Sequence, residues 1–364
     1  MRLTSPSFRR LAAVAGAAFL LALPACQSLP RLPAEPPDEV ATVEPEIAGC
    51  MPPSTLQTVG REGEDLSRLD QCRFLPARDI AGYAAEARAS VRRELAWRRS
   101  TGQTGPLPPV SMLAISGGGD DGAFGAGLLV GWSEAGTRPE FKLVTGVSTG
   151  ALIAPFAFLG PRYDRQLTES YTAISQRDIF KPRGFLKGLL SDAFADTSPL
   201  AKTLDREVTQ AMLDDIAAEY AKGRLLLIGT SNLDTMEPVI WNITAIAASK
   251  DPNSLPLVRK ILLASASIPG AFPPVMIDVD QGGHRFQEMH VDGGAEAQVF
   301  VYPPSIRITE AGAELGVKRQ RALYVIRNSR VDAEEITVKR STLPIATRSV
   351  SAVLASQGVG DLYR

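Results

Sequence analysis

Histidine and cysteine are scarce in this 364-residue chain, which limits the chemistry it can support. It contains two histidines, His284 and His290, and three cysteines, Cys26, Cys50 and Cys72. A zinc site of the usual kind takes about four ligands, most of them His or Cys. No segment has the ligand spacing of a calcium loop. We therefore predict that the protein uses no metal or other cofactor, and that any hydrolysis relies on its own side chains.

The chain also lacks an excess of either charge. It has 39 Lys and Arg against 40 Asp and Glu, a formal net charge of −1. Nucleic-acid-binding domains usually carry a clear basic excess, so we expect no nucleic-acid partner. The content of 45% hydrophobic and 22% charged residues is that of a globular protein.

The N-terminus has the features of a targeting segment. Arg9 and Arg10 precede an uncharged apolar run over residues 11–23, which is too short to span a bilayer comfortably. Small residues follow and lead directly to Cys26. We predict a signal peptide over residues 1–25 and export to the cell envelope.

Export gives each cysteine an expected role. The sequence around Cys26 resembles the lipobox of bacterial lipoproteins, so we expect lipid attachment there; the alternative is ordinary cleavage after Ala25, leaving a free thiol. Gln27, which is not an Asp, favours the outer membrane, facing the periplasm or the surface. In an oxidising compartment Cys50 and Cys72 can form a disulfide. Two buried thiols remain the alternative.

Composition and periodicity divide the rest of the chain into three parts. Residues 26–105 read as a Pro-rich tether and a helical extension over 79–99, residues 106–331 as the main domain, and residues 332–364 as a C-terminal helical segment. Strands are predicted over 110–115, 141–147, 225–229 and 322–326, and helices over 123–135, 149–159, 200–221 and 341–356. Strands that alternate with helices indicate an α/β fold with a mainly parallel sheet.

A candidate nucleophile lies where the second of these strands turns into a helix. The segment Gly146-Val147-Ser148-Thr149-Gly150 fits the pattern G-x-S-x-G. Such a turn strains the serine backbone, needs small neighbours and exposes the hydroxyl at a helix N-terminus. The alternative is a glycine-rich packing turn.

A second glycine-rich loop follows the first strand. Gly117, Gly118 and Gly119 precede Asp120 and Asp121, and the segment literally matches the dinucleotide motif G-x-G-x-x-G. The carboxylates of Asp120 and Asp121 would repel a pyrophosphate. The next strand also ends in the serine turn, where a dinucleotide-binding fold has an acidic residue that binds the ribose. We therefore favour an oxyanion hole, with the N–H groups of Gly118 and Gly119 as donors.

The base that would activate Ser148 has few candidates. A histidine-containing triad would have to use His284 or His290. Asp292, at the head of the turn Asp292-Gly293-Gly294, is the other candidate, because the glycines allow it to approach a neighbouring loop.

Taken in order, these motifs and the segment 266–275, Ala-Ser-Ile-Pro-Gly-Ala-Phe-Pro-Pro-Val, resemble the patatin-like phospholipases. The resemblance covers about residues 110–328. It implies a three-layer α/β/α fold, acyl-ester hydrolysis on lipids, and a Ser-Asp dyad of Ser148 and Asp292 without histidine. It also implies that Gly117, Gly118 and Gly119 form the oxyanion loop.

The sequence departs from the family pattern in two places. Asp121 stands where the oxyanion motif commonly has Arg or Lys, so a neutral ester is as good a candidate substrate as a phospholipid. The chain stops at Arg364 where more of the fold is expected, as in a truncated copy. An apolar cluster of Phe185, Leu186, Leu189, Leu190 and Phe194 fits either a lid at the site or core packing.

Two alternative functions remain at this stage. One is an α/β-hydrolase with a histidine-containing triad. The other is a catalytically inactive envelope lipoprotein that binds lipid.

Overall fold

The computed structural model describes residues 29–34, 44–45, 72–76, 80–173, 179–182, 193, 195–281, 284–302, 316–330, 332 and 335–363. The signal peptide, Cys26, Cys50 and the apolar cluster at 185–194 lie outside these residues. Among the described helices, none combines the length and apolar character that crossing a bilayer requires.

Eleven strands are described, nine of them in one sheet. The strands are β1 Glu44–Pro45, β2 Arg73–Phe74, β3 Val110–Ile115, β4 Phe141–Val147, β5 Lys181–Pro182, β6 Ala195–Asp196, β7 Leu225–Asn232, β8 Glu237–Asn242, β9 Val275–Gln281, β10 His284–Asp292 and β11 Arg321–Ile326. β5 and β6 pair separately with each other.

Helices flank this sheet. They are α1 Ile80–Ser100, α2 Gly122–Glu134, α3 Thr149–Leu159, α4 Asp164–Thr172, α5 Ser198–Glu207, α6 Gln210–Ala221, α7 Ile243–Ala248, α8 Ser254–Ser265 and α9 Thr342–Leu362. The predicted α/β fold with a parallel central sheet is confirmed: β11, β3, β4 and β7 are neighbours and run parallel. The core contains large buried side chains that include Trp241, Phe74, Phe141 and Phe158.

Antiparallel strands extend the sheet beyond β7. β8 pairs with β7 on one side, over residues 227–232. On the other side β4 pairs with residues 225–229 and β10 with residues 230–232. β4 and β10 therefore run toward each other along the same side of β7, and their ends meet at Gly229 and Thr230.

The predicted helix over 200–221 is wrong, because the structure divides it into α5 and α6. Val208 has an extended backbone, with ψ of 93°, and interrupts the helical hydrogen bonds. Thr209 then caps α6 by accepting the Met212 N–H at 3.3 Å. Apolar spacing continues across the break, so periodicity alone does not reveal it.

The predicted tether is also partly incorrect, because its described parts join the sheet. β1 pairs with β9, and β2 pairs with β8. Arg31 forms a two-pronged ion pair with Asp234, at 2.8 and 2.9 Å. Cys72 is buried and disulfide-bonded. Since both other cysteines lie outside the described residues, the pairing with Cys50 stays a prediction.

Candidate active site

Ser148 occupies a strained turn between β4 and α3. Its backbone has φ of 55° and ψ of −128°, a region that side-chain-bearing residues rarely adopt. Glycine is required on both sides of it. A Cβ on Gly146 would lie 2.5 Å from the Gly150 carbonyl oxygen, and one on Gly150 would lie 2.3 Å from that of Ile115. The two glycines of the motif thus permit the close packing that holds the serine in place.

Asp292 lies at the end of β10, close enough to Ser148 for the serine side chain to lower the pKa of its carboxyl group. Its Oδ1 also accepts the N–H of Gly294 at 2.8 Å. Burial raises the pKa of Asp292 to about 6, although the hydrogen bonds from Ser148 and Gly294 oppose that rise. A carboxylate with this pKa is charged at neutral pH and basic enough to accept a proton from the serine.

The glycine loop after β3 lies against Ser148. A Cβ on Gly117 would be 3.0 Å from the Ser148 Cβ, and Gly119 has φ of +55°, which glycine adopts without strain. A Cβ on Gly118 would lie 2.7 Å from the Asn328 Cβ. A side chain at Gly117 or Gly118 would therefore displace this loop.

Asn328 joins the glycine loop to β11 and α2, and sequence reasoning missed it. Its backbone N–H donates to Ser116 Oγ at 2.9 Å, and its Nδ2 donates to the Ser116 carbonyl at 2.8 Å. Its Oδ1 accepts the Gly125 N–H at 3.1 Å. Asn328 therefore fixes both ends of the loop, but no local sequence signal marks it, because its partners are about 200 residues away.

His290 is fully buried in a different network. Its Nε2 lies 2.9 Å from Glu288 Oε2, and its Nδ1 lies 2.9 Å from Thr230 Oγ1. Arg73 donates to the same Glu288 oxygen at 2.8 Å, and Trp241 donates to Thr230 at 2.8 Å. With both ring nitrogens engaged in this way, His290 is not arranged as the base for Ser148.

His284 begins the strand that Asp292 ends. At about 3.3 Å per residue, the eight steps along the strand from His284 to Asp292 place their Cα atoms roughly 26 Å apart. Neither histidine is thus positioned for a triad with Ser148. In the described part of the chain, no group of three or more His, Cys, Asp or Glu is arranged to hold a metal ion.

A pocket of about 510 Å³ opens at Ser148. Most of its lining is apolar; it includes Leu152, Phe156, Leu200, Leu262 and Phe272. This size and character suit a hydrophobic ligand of moderate size. Polar residues also line the pocket, namely Ser148, Asp120, Thr149, Ser170, Tyr171, Thr203 and Glu207.

Comparisons with known proteins give a family match and a distant structural similarity. A family model described as patatin-like phospholipase matches residues 113–303, which include the glycine loop, Ser148 and Asp292. A crystal structure of VipD from Legionella pneumophila is similar at 11% identity and a TM-score of 0.36, covering 68% of this chain. The match covers 53% of VipD, so this chain spans about half that protein's length. No curated protein matches the sequence.

Proposed function

Because the chain belongs to the patatin-like phospholipase family, whose members are lipid acyl hydrolases, we propose that it hydrolyses acyl esters of lipids through a dyad of Ser148 and Asp292. The observation that carries this proposal is a serine on a strained turn that lines an apolar pocket and lies beside the buried carboxylate of Asp292, whose pKa is about 6.

In the proposed first half-reaction, Asp292 accepts the hydroxyl proton as Ser148 Oγ attacks the ester carbonyl carbon. The carbonyl oxygen becomes an oxyanion, which the N–H groups of the loop 117–119 stabilise. One such donor is typically worth roughly 3 kcal/mol in the transition state. The tetrahedral intermediate collapses, the alcohol leaves with the proton from Asp292, and an acyl-enzyme remains.

In the second half-reaction water replaces the alcohol. Asp292 takes a proton from the water as its oxygen attacks the acyl carbon, and returns that proton to Ser148 Oγ when the fatty acid leaves. The apolar pocket would hold the acyl chain throughout. Asp121, where the family motif commonly has a basic residue, leaves phospholipids and neutral esters both as candidate substrates.

Turnover of p-nitrophenyl acyl esters tests the proposal. We expect hydrolysis by the wild-type chain and a loss of at least 1,000-fold in Ser148→Ala, on the order of the losses in other serine hydrolases. Ser133→Ala serves as the control. Ser133 lies near the C-terminal end of α2, where its hydroxyl donates to the Leu129 carbonyl and accepts from the Arg138 guanidinium.

Equal rates in Ser148→Ala and wild type would contradict the proposed nucleophile. No turnover by wild type, together with binding to lipid vesicles, would favour the inactive lipid-binding lipoprotein.

We also propose that the protein is exported and anchored through a lipid on Cys26. This rests on the apolar run and small residues before that cysteine. Its membrane would then be the cell envelope, with the outer membrane favoured by Gln27.

A further inference from the structure

Ser265, the last residue of α8, contacts the backbone of the nucleophile. The Ser148 N–H donates to Ser265 Oγ at 3.0 Å, and Ser265 Oγ in turn donates to the Gly229 carbonyl at 2.7 Å. Ser265 is completely buried, so water does not compete for these bonds. A hydroxyl has one proton to donate and accepts through its lone pairs, and here both functions are used.

The same segment also holds the backbone of Asp292. The Asp292 N–H donates to the Ser267 carbonyl oxygen at 2.9 Å. The Gly229 carbonyl that accepts from Ser265 also abuts the turn after Asp292, because a Cβ on Gly293 would lie 2.4 Å from that oxygen. Residues 265–267 thus contact the backbone of both members of the dyad.

We propose that Ser265 is a positioning residue for the acyl-transfer reaction: its hydroxyl holds Ser148 in the left-handed conformation and in register with Asp292. This inference rests on the proposed function for its kinetic consequences. Ser265 takes no direct part in the bond-making steps, because its hydroxyl bonds to the backbone N–H of Ser148 and not to the reacting oxygen.

Two features explain why the backbone of Ser148 needs the hydrogen bond to Ser265. A φ of 55° at a serine is strained, and such strain persists only where surrounding contacts impose it. Moreover, Ser148 and Asp292 lie at the ends of different strands that merely meet beside β7. A bridge from Ser148 through Ser265 to Gly229 fixes the end of β4 against β7, where Asp292 arrives.

A second consequence concerns the oxyanion. Because the Ser148 N–H is bonded to Ser265, it is not free to face a developing negative charge. The donors proposed in the glycine loop 117–119 do not depend on that group.

The test compares Ser265→Ala with Ser254→Ala in the full-length chain. Ser254 is the matched control, because it is a buried serine at the other end of α8 whose hydroxyl donates to a backbone carbonyl, that of Ile246, at 2.8 Å. We expect Ser265→Ala to lower kcat on p-nitrophenyl esters by 10- to 100-fold with KM within threefold. Ser254→Ala should keep kcat within twofold while losing similar thermal stability.

A pH profile separates positioning from loss of folded protein. The hydrogen bond from Ser148 lowers the pKa of Asp292, so displacing the serine should move the acid limb of kcat/KM to higher pH in Ser265→Ala. Ser254→Ala should leave that limb unchanged. Equal kcat in the two variants, or an unshifted limb in Ser265→Ala, would overturn the inference.

If the wild-type chain has no esterase activity, that result counts against the proposed function alone. A crystal structure of Ser265→Ala then still tests the positioning role. A residue 148 that keeps φ near 55° and its position beside Asp292 would refute the positioning role. A relaxed φ with the serine moved away from Asp292 would support it.

Discussion

Asp292 is buried where a charged carboxylate is poorly solvated, and this affects the stability of the fold as well as the reaction. Its pKa is raised from 3.8 to about 6 in the folded chain. Between these values the folded state holds a proton that the unfolded state has lost, so stability falls as pH rises through this window. At about 1.4 kcal/mol per pKa unit, the ionised residue costs the fold roughly 3 kcal/mol above pH 6.

We therefore expect Asp292→Asn to be inactive but more stable than wild type at pH 8, by on the order of 2–3 kcal/mol. The amide accepts the Gly294 N–H as before but cannot take the serine proton. Urea denaturation at pH 8 and at pH 3.5 measures the effect, and the gain should vanish at the lower pH. A variant that is destabilised at pH 8 would show that the carboxylate is not buried as described.

The same pKa sets the acid limb of activity. If Asp292 must be ionised to act as the base, kcat/KM should fall about tenfold per pH unit below pH 6 and level off above it. Steady-state rates on a p-nitrophenyl ester between pH 4.5 and 8 provide the measurement. A limb near pH 4 would mean that another group, or a solvated carboxylate, acts as the base.

At the scale of elements, the N-terminal extension is fixed to the sheet by two ion pairs of very different burial. Arg73 on β2 meets Glu288 on β10 with both side chains almost inaccessible, whereas the Arg31–Asp234 pair is partly solvated. Burial alone would raise the pKa of Glu288, but Arg73 and His290 hold it below its usual range. The carboxylate thus stays charged in the core because its partners stabilise it.

Removing one partner of the buried pair should be costly. We expect Arg73→Met to destabilise the protein by about 3–5 kcal/mol, since Glu288 would lose a buried partner. Arg31→Met is the control and should cost less, about 1 kcal/mol, because water partly screens its pair with Asp234. Thermal or urea unfolding of both variants at pH 7.5 tests this, and equal losses would contradict the proposed difference in burial.

Elements whose signals are local could be predicted from the sequence. The bounds of β3, β4 and α3 are as predicted, because buried apolar runs and a glycine-rich turn mark them. The antiparallel hairpin of β9 and β10 had no comparably clear signal. The roles of Ser265 and Asn328 also escaped prediction, since each depends on partners that only the folded sheet brings near.

At the scale of the whole molecule, the open question is attachment to a membrane. We expect Cys26→Ser to move the protein from the detergent phase to the aqueous phase, or to leave it uncleaved, because each buried methylene of an acyl chain contributes about 0.8 kcal/mol of membrane affinity. Phase partitioning of cell extracts measures this. Unchanged partitioning would exclude Cys26 as the anchor.

The ion pair between Arg31 and Asp234 has a further consequence for such an anchored enzyme. Five peptide units separate Cys26 from Arg31, and fully extended they reach at most about 18 Å. Asp234 accepts the N–H of Met289 at 2.8 Å, three residues before Asp292 on β10. With Cys26 lipidated as proposed, this short connection would keep the active site close to the membrane leaflet that holds the lipid. The search for substrate would then be nearly two-dimensional, and lipids of a facing membrane would be out of reach.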